Sequence, residues 1–251
     1  MSEHVIVERR GAVQVIRMNR PEKKNALTRA MYGAMNRALQ QGDADPALRV
    51  HVFLGVPGAF SSGNDIGDFL AYAEGGALGE DLVEFLVTLA TTQKPMVSGV
   101  DGIAVGIGTT LNLHCDLTFA TRRTVFRTPF VDLGLVPEAG SSLIAPGTIG
   151  RQQAFALLAL GRGLSADRAK TAGLIYEVVD EDDLEREVFA AADEIAAKPP
   201  EAVKIARDLM RGPREAIVER IHEEVQHFGL RLRSAEARAA FAAFMNRKKP
   251  G

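Results

Sequence analysis

The 251-residue sequence predicts an α/β fold: a core with parallel strand pairing, followed by a mainly helical C-terminal part. Two patterns carry this prediction. Up to about Ser141, short apolar stretches bounded by Gly or Pro alternate with helical segments, as in chains that wind parallel strands. After it, six stretches have helical character and only one short stretch reads as a strand.

Taken in order, Val5–Arg9 and Val13–Met18 alternate apolar and polar residues around Gly11, which predicts a β-hairpin. The polar loop Asn19–Leu27 follows, and Thr28 is placed to cap a helix running to about Gln41. Val50–Gly55 is a strand candidate, and Val56–Phe69, rich in Gly, Ser and Asn, reads as a loop. A helix near Glu80–Ala90 precedes the strand Met96–Val100, introduced by Pro95. After Gly102–Gly108 come a short apolar helix and the strand Cys115–Thr121. The later helices are Gln152–Leu160, Ser165–Ala172, Asp182–Lys198, Pro200–Arg211, Pro213–Leu230 and Ser234–Asn246, with a strand at Tyr176–Val179. A boundary near 195–200 divides a core, residues 1–197, from a helical segment, residues 198–251.

A hydrophobic content of 46% supports a large buried core, and a net charge of −2 points to neither nucleic acid nor a membrane surface. That balance is compatible with a local basic rim for a phosphorylated ligand. The single cysteine, Cys115, excludes an internal disulfide and lies in an apolar run, as a small buried hydrophobe would. The first ten residues show no secretory apolar stretch, and no charge-free run is long enough to span a bilayer, so a cytoplasmic protein is expected. His4, His51, His114, His222 and His227 show no metal-ligand spacing supported by acids, so no metal is expected.

Two glycine-bearing loops each follow a strand: Ala59–Ile66 and Val100–Gly108. Glycine permits backbone angles that expose amide N–H groups. Two such loops can converge on one oxygen, an arrangement that strongly stabilises charge developing on a thioester oxygen. Read singly, neither loop is specific, and each is more often a set of ordinary turn glycines. Gly106-Ile107-Gly108 lacks the third glycine of a dinucleotide loop.

The motifs Asn19-Arg20-Pro21, Asn25-Ala26-Leu27, Phe60-Ser61-Ser62-Gly63-Asn64-Asp65, Gly102-Ile103-Ala104-Val105-Gly106, Cys115-Asp116 and Leu133-Gly134-Leu135-Val136-Pro137 occur in order, followed by Gly161-Arg162 and Ala172-Gly173-Leu174. Together they resemble the enoyl-CoA hydratase/isomerase (crotonase) family over nearly the whole chain. The resemblance implies a spiral of β-β-α units, a helical C-terminal segment that assembles trimers or dimers of trimers, and a bound acyl-CoA thioester. It also implies that the oxyanion donors are the backbone N–H groups of Asn64 and Ile107. Family members usually carry Gly at the second position, but the N–H survives that change.

Hydratases of this family carry two catalytic glutamates, and the matching positions here are Thr110 and Phe130. Neither can act as a carboxylate base, so ordinary hydration looks disabled. Glu138 matches the single catalytic acid of Δ3,Δ2-enoyl-CoA isomerases, and the sequence is most similar to the peroxisomal-type subgroup. By itself, a Glu between Pro and Ala in a loop is most often a solvated surface residue. Its family position instead marks Glu138 as the base that moves a proton from C2 to C4 of a 3-enoyl-CoA. Asp65, Asp116 and Asp132 read as structural hydrogen-bonding groups.

The resemblance further implies substrate contacts along Ser62, Gly63, Asn64, Asp65 and Ile66, with Lys23, Ala26, Gly106 and Phe130. Arg20, Lys23 and Lys24 are candidates for the CoA phosphates, as are Lys248 and Lys249 from a neighbouring subunit, and Leu70–Gly79 for shaping the acyl pocket. No flavin, nicotinamide or metal cofactor is implied, coenzyme A being part of the substrate. The alternatives are a hydratase, hydrolase or ring-opening isomerase of the same superfamily, and a binding protein without catalysis.

Overall fold

The computed structural model describes residues 2–68 and 79–247. The predicted hairpin is β1 (Val5–Arg10) and β2 (Val13–Met18), antiparallel with Val5 opposite Met18. Thr28 caps α1 (Arg29–Ala44), its side chain accepting from the Met31 N–H at 3.3 Å. The helix runs a turn beyond the predicted end. β3 (Val50–Leu54) then pairs parallel with β2.

The expected loop Val56–Phe69 contains a strand, β4 (Ala59–Ser61). Three further short strands accompany it: β6 (Ile103–Val105), β8 (Val125–Arg127) and β9 (Leu164–Ser165). Interleaved with them are α2 (Glu80–Thr91), β5 (Met96–Val100), α3 (Ile107–Thr110) and β7 (Leu117–Thr121). After β8 come α4 (Ser141–Ile149), which the sequence reading missed, and α5 (Arg151–Leu158). Pro146 inside α4 argues against a helix on local grounds. α6 (Ala166–Ala172), β10 (Glu177–Val179) and α7 (Leu184–Ala196) complete the part that packs on the sheets.

The strands form two sheets. The larger has the order β1-β2-β3-β5-β7-β10, parallel from β2 onward, and the smaller has the order β4-β6-β8-β9. The chain therefore passes from a strand of the large sheet to one of the small sheet and back, three times over. This is the spiral of β-β-α units that the family resemblance implies. Both faces of the large sheet are covered, as parallel strands require. Along β3, Val50, Val52 and Leu54 face Leu184, Val188 and Ala192 of α7, while Phe53 faces the main core with α1 and α2. The alternation follows from the two-residue period of a strand.

Three helices follow: α8 (Pro200–Arg211), α9 (Arg214–Leu232) and α10 (Ala235–Arg247). α9 packs against α2 and α4, and α10 lies on the Val131–Leu133 turn. α8 is held by Arg207, 3% exposed, whose guanidinium donates to the Asp116 carboxylate at 2.8 Å and to the Thr92 carbonyl at 2.6 Å. No helix among the described residues is long and apolar enough to cross a membrane.

Candidate active site

Both glycine loops leave the small sheet at the ends of neighbouring strands, β4 and β6, which pair parallel. Beyond β4, Gly63 adopts a φ of 91°, a left-handed conformation open to glycine. Leu27 forms an isolated parallel bridge to Asn64, with Leu27 N–H donating to Gly63 O at 2.8 Å and Asp65 N–H to Leu27 O at 2.9 Å. That pattern uses the residues flanking Asn64 and directs its own N–H away from Leu27. Beyond β6, Ile107 opens α3, where a first-turn N–H has no acceptor within its helix. Among the described residues, the N–H groups of Asn64 and Ile107 donate to no protein atom.

The two loops lie against each other. A Cβ on Gly63 would sit 3.2 Å from the Val105 carbonyl oxygen, and one on Gly108 only 2.9 Å from Ser61. A side chain at Gly108 would therefore force α3 off the end of β4. The Tyr32 hydroxyl donates to the Asn64 side-chain oxygen and orients it. The Asn19–Leu27 loop is fastened to this region by Asn25, fully buried, whose amide donates to Ala59 O and Phe60 O at 2.9 and 3.1 Å.

Glu138 reaches the same place from the loop before α4. Its side chain is 5% exposed, and its carboxylate accepts from the Thr110 hydroxyl at 2.5 Å. The Thr110 hydroxyl also lies 3.4 Å from the Gly106 carbonyl, part of the peptide group that supplies the Ile107 N–H. Thr110 thus joins the carboxylate to the loop end. Phe130, Ile107, Leu111 and Ala139 belong to the same apolar cluster, with Val136 packed against it. Burial pushes the Glu138 carboxyl up to about 8, against the stabilising Thr110 hydrogen bond, and the nearby Glu224 carboxylate pushes the same way. A carboxyl with that pKa can accept and return a proton near neutral pH.

Thr110→Val removes the donor that favours the ionised form. The acid limb of kcat/KM is expected to move up by about one pH unit, the worth of one hydrogen bond to a charged group. A pH profile checks this, and an unmoved limb would show that the Thr110 contact does not act on the reacting carboxylate.

Of the other predicted residues, Ser62 is half-buried, its N–H donating to Lys24 O at 2.9 Å and its hydroxyl to Lys23 O at 3.1 Å. Ser62–Ile66, Lys23 and Ala26 are thereby brought together, with Lys23 and Lys24 exposed beside them. Asp65 accepts from Arg20 at 2.7 Å and from the Gly67 N–H at 2.9 Å, and these bonds hold it below the ordinary carboxylate range despite the upward push of burial. Arg20 also donates to Ala26 O at 2.9 Å. It is committed inside the protein, so its assignment to CoA phosphates is corrected: the conformation that ties down the loop uses its guanidinium. Asp132 is exposed and pairs with Arg127 at 3.3 Å. Burial pushes the Cys115 thiol up to about 12, which removes it as a nucleophile. Residues 70–78 of the predicted acyl-pocket segment, with Lys248 and Lys249, lie outside the described residues.

Two residues near Glu138 were not assigned a role from sequence. His114, expected to be a packing residue, has a ring nitrogen 2.7 Å from the Ala139 carbonyl, and burial pulls its pKa down to about 4. It is therefore neutral and donates to that carbonyl. Glu224 of α9 accepts from Gly140 N–H at 2.6 Å and Ser142 N–H at 3.0 Å. A signal for it exists in the sequence: Ile221, Glu224, Phe228 and Leu232 form one buried stripe of α9, and an acid on an apolar stripe needs a partner. Among the described residues no group of three or more His, Cys, Asp or Glu is placed to hold a metal ion.

The two-sheet spiral, the paired loops and the buried acid define a protein of the crotonase superfamily. The family model for enoyl-CoA hydratase/isomerase matches residues 8–251, and the chain belongs to that family. Rat enoyl-CoA delta isomerase 2 is 36% identical over 98% of this chain, which spans 64% of the length of that relative. A probable enoyl-CoA hydratase of Rhizobium meliloti is 31% identical over 98% of this chain and 96% of its own length. Among solved structures, OdaA of Pseudomonas aeruginosa is 42% identical, with a TM-score of 0.93 over 98% of this chain and all of that one.

Proposed function

We propose that the protein is an enoyl-CoA isomerase that moves the double bond of a 3-enoyl-CoA thioester to the 2-trans position. The observation that carries this reading is a buried carboxyl, Glu138, raised to about 8 and joined through Thr110 to the loop that presents the Ile107 N–H. Ionised Glu138 takes a proton from C2. The C2–H electron pair delocalises into a dienolate, and the charge on the thioester oxygen is held by the Asn64 and Ile107 N–H groups. Glu138 then returns the same proton to C4, so atoms and charge balance without a further cofactor. Phe130, Ile107 and Val136 keep the intermediate apart from water.

The acyl-pantetheine runs along Ser62–Ile66 past Gly106 and Phe130, with Ala26 beside the entrance and Lys23 and Lys24 toward the phosphates. The helical segment 198–251 assembles the subunits into a trimer or a dimer of trimers in the cytoplasm. The relatives include proteins named for hydration as well as isomerisation. Thr110 and Phe130 at the positions of the hydratase acids support the isomerase. The protein is expected to convert 3-enoyl-CoA substrates and to add essentially no water to crotonyl-CoA. Water addition at a comparable rate would sink the reading.

A further inference from the structure

Glu138 sits on a short strap, Glu138–Ser142, held in an unfavourable backbone conformation. Ala139 has a φ of 61°, in the left-handed region where a Cβ is disfavoured, and Gly140 follows at 68°. Such strain persists only where the surroundings hold it. His114 secures the Ala139 carbonyl, and the strap's own turn closes through Ser141 N–H on the Glu138 carbonyl at 3.1 Å. A further fastening is Glu224, 5% exposed, with each oxygen taking one N–H of the strap. It comes from α9, 84 residues away along the chain from Gly140.

From this geometry we infer that Glu224 is a positioning residue for the isomerase base: it clamps the Glu138 strap and places a second buried carboxylate beside the reacting one. The inference rests on the proposed role of Glu138. Clamping fixes where the Glu138 oxygens point. The like charge disfavours ionised Glu138 and so makes it a stronger base once ionised. The other charged groups around the strap are few. Arg220 of α9 donates to the Ser142 hydroxyl at 3.2 Å, and Arg211 of α8 donates to the His114 carbonyl. Glu84 of α2 is turned to Asn36 at 3.2 Å, Arg231 of α9 pairs with Glu236 of α10, and α4 carries no charged side chain. No cation among these contacts the Glu138 carboxylate.

The test is the pH dependence of kcat/KM in Glu224→Gln, beside the wild type and Glu138→Gln. Glutamine removes the charge and turns one acceptor into a donor facing an N–H. The acid limb is expected to move down by about one pH unit, as for loss of one like charge across a partly screened interior. kcat is expected to fall roughly tenfold from loosening of the base, with KM nearly unchanged. A limb coincident with the wild type would overturn the inference even if kcat fell, since a merely structural role lowers activity without moving it.

An active Glu138→Gln would instead overturn the base assignment, which keeps the two failures distinct. Should Glu224→Gln not fold, the order of ionisation can be read in the wild type by infrared titration, with Glu138→Gln identifying which carboxyl band belongs to Glu138. The band of protonated Glu224 is expected to vanish at lower pH than that of Glu138, so that its charge is in place when Glu138 titrates. A Glu224 band that persists through the Glu138 titration would overturn the inference.

Discussion

Glu138→Gln is expected to lower kcat for 3-enoyl-CoA conversion by about 10²–10⁴-fold, the usual worth of a general base, with KM within a few-fold. Glutamine keeps the shape and leaves an oxygen to accept from Thr110, so binding and local structure persist while proton transfer does not. Activity within a few-fold of the wild type would remove Glu138 from the mechanism. The same substitution carries a stability signature of opposite sign. Because the folded-state pKa is about 8, above the ordinary 4.5, the native protein holds a proton that the unfolded chain releases. Wild-type stability therefore falls as pH rises between those two values, and Glu138→Gln escapes this loss. At pH 9 the variant is expected to be more stable by on the order of 3–5 kcal/mol, at 1.36 kcal/mol per pKa unit. The gap should close near pH 4, where both side chains are neutral. Urea unfolding at the two pH values measures it, and equal stability at pH 9 would mean that the carboxylate is not desolvated as its burial implies.

The second large effect concerns how the C-terminal helices are fixed to the core. Arg207 donates to both Asp116 oxygens, at 2.9 and 2.8 Å, and to the carbonyls of Thr92 and Gln93. Asp116 in turn accepts from the Met96 N–H at 2.8 Å, at the start of β5. One guanidinium thus ties α8 to the end of α2 and to the edge of a central strand. Arg207→Met keeps the length of the side chain but strands two backbone carbonyls and takes one guanidinium from a carboxylate that stays in reach of water. Removing only the buried partner in this way costs about 2–3 kcal/mol, a fall in Tm on the order of 5 °C for a chain of this size. Arg211, 3.3 Å from the Asp116 carboxylate, keeps the loss toward the lower end. Arg207→Met/Asp116→Asn is expected to recover part of it, since the charge that lost its partner is gone. A single-variant loss below about 1 kcal/mol would show that α8 is held by its apolar contacts instead.

Both predictions depend on contacts whose partners lie far apart in sequence, and this sets what could be read in advance. The sequence by itself determined five of the six strands of the large sheet, because each is an apolar or alternating run of five or six residues bounded by turn residues. It determined α1 with its Thr28 cap and the C-terminal helices, whose ends differ by no more than two residues from those expected. Through its resemblance to the crotonase family, it also marked the two glycine loops and Glu138 as the places where chemistry is expected, although read singly each has an ordinary structural explanation. The tertiary structure alone decided the second sheet. β4, β6 and β8 are three residues each, too short to show a period, and they exist because they pair with one another. It likewise decided that Arg20 serves Asp65 and the Ala26 carbonyl inside the protein, since a basic residue on a polar loop is indistinguishable in sequence from a solvated one. Above all, it decided the setting of Glu138. The sequence could name the acid, but its pKa depends on the water excluded around it, the Thr110 hydroxyl and the Glu224 charge, which only the folded chain brings together.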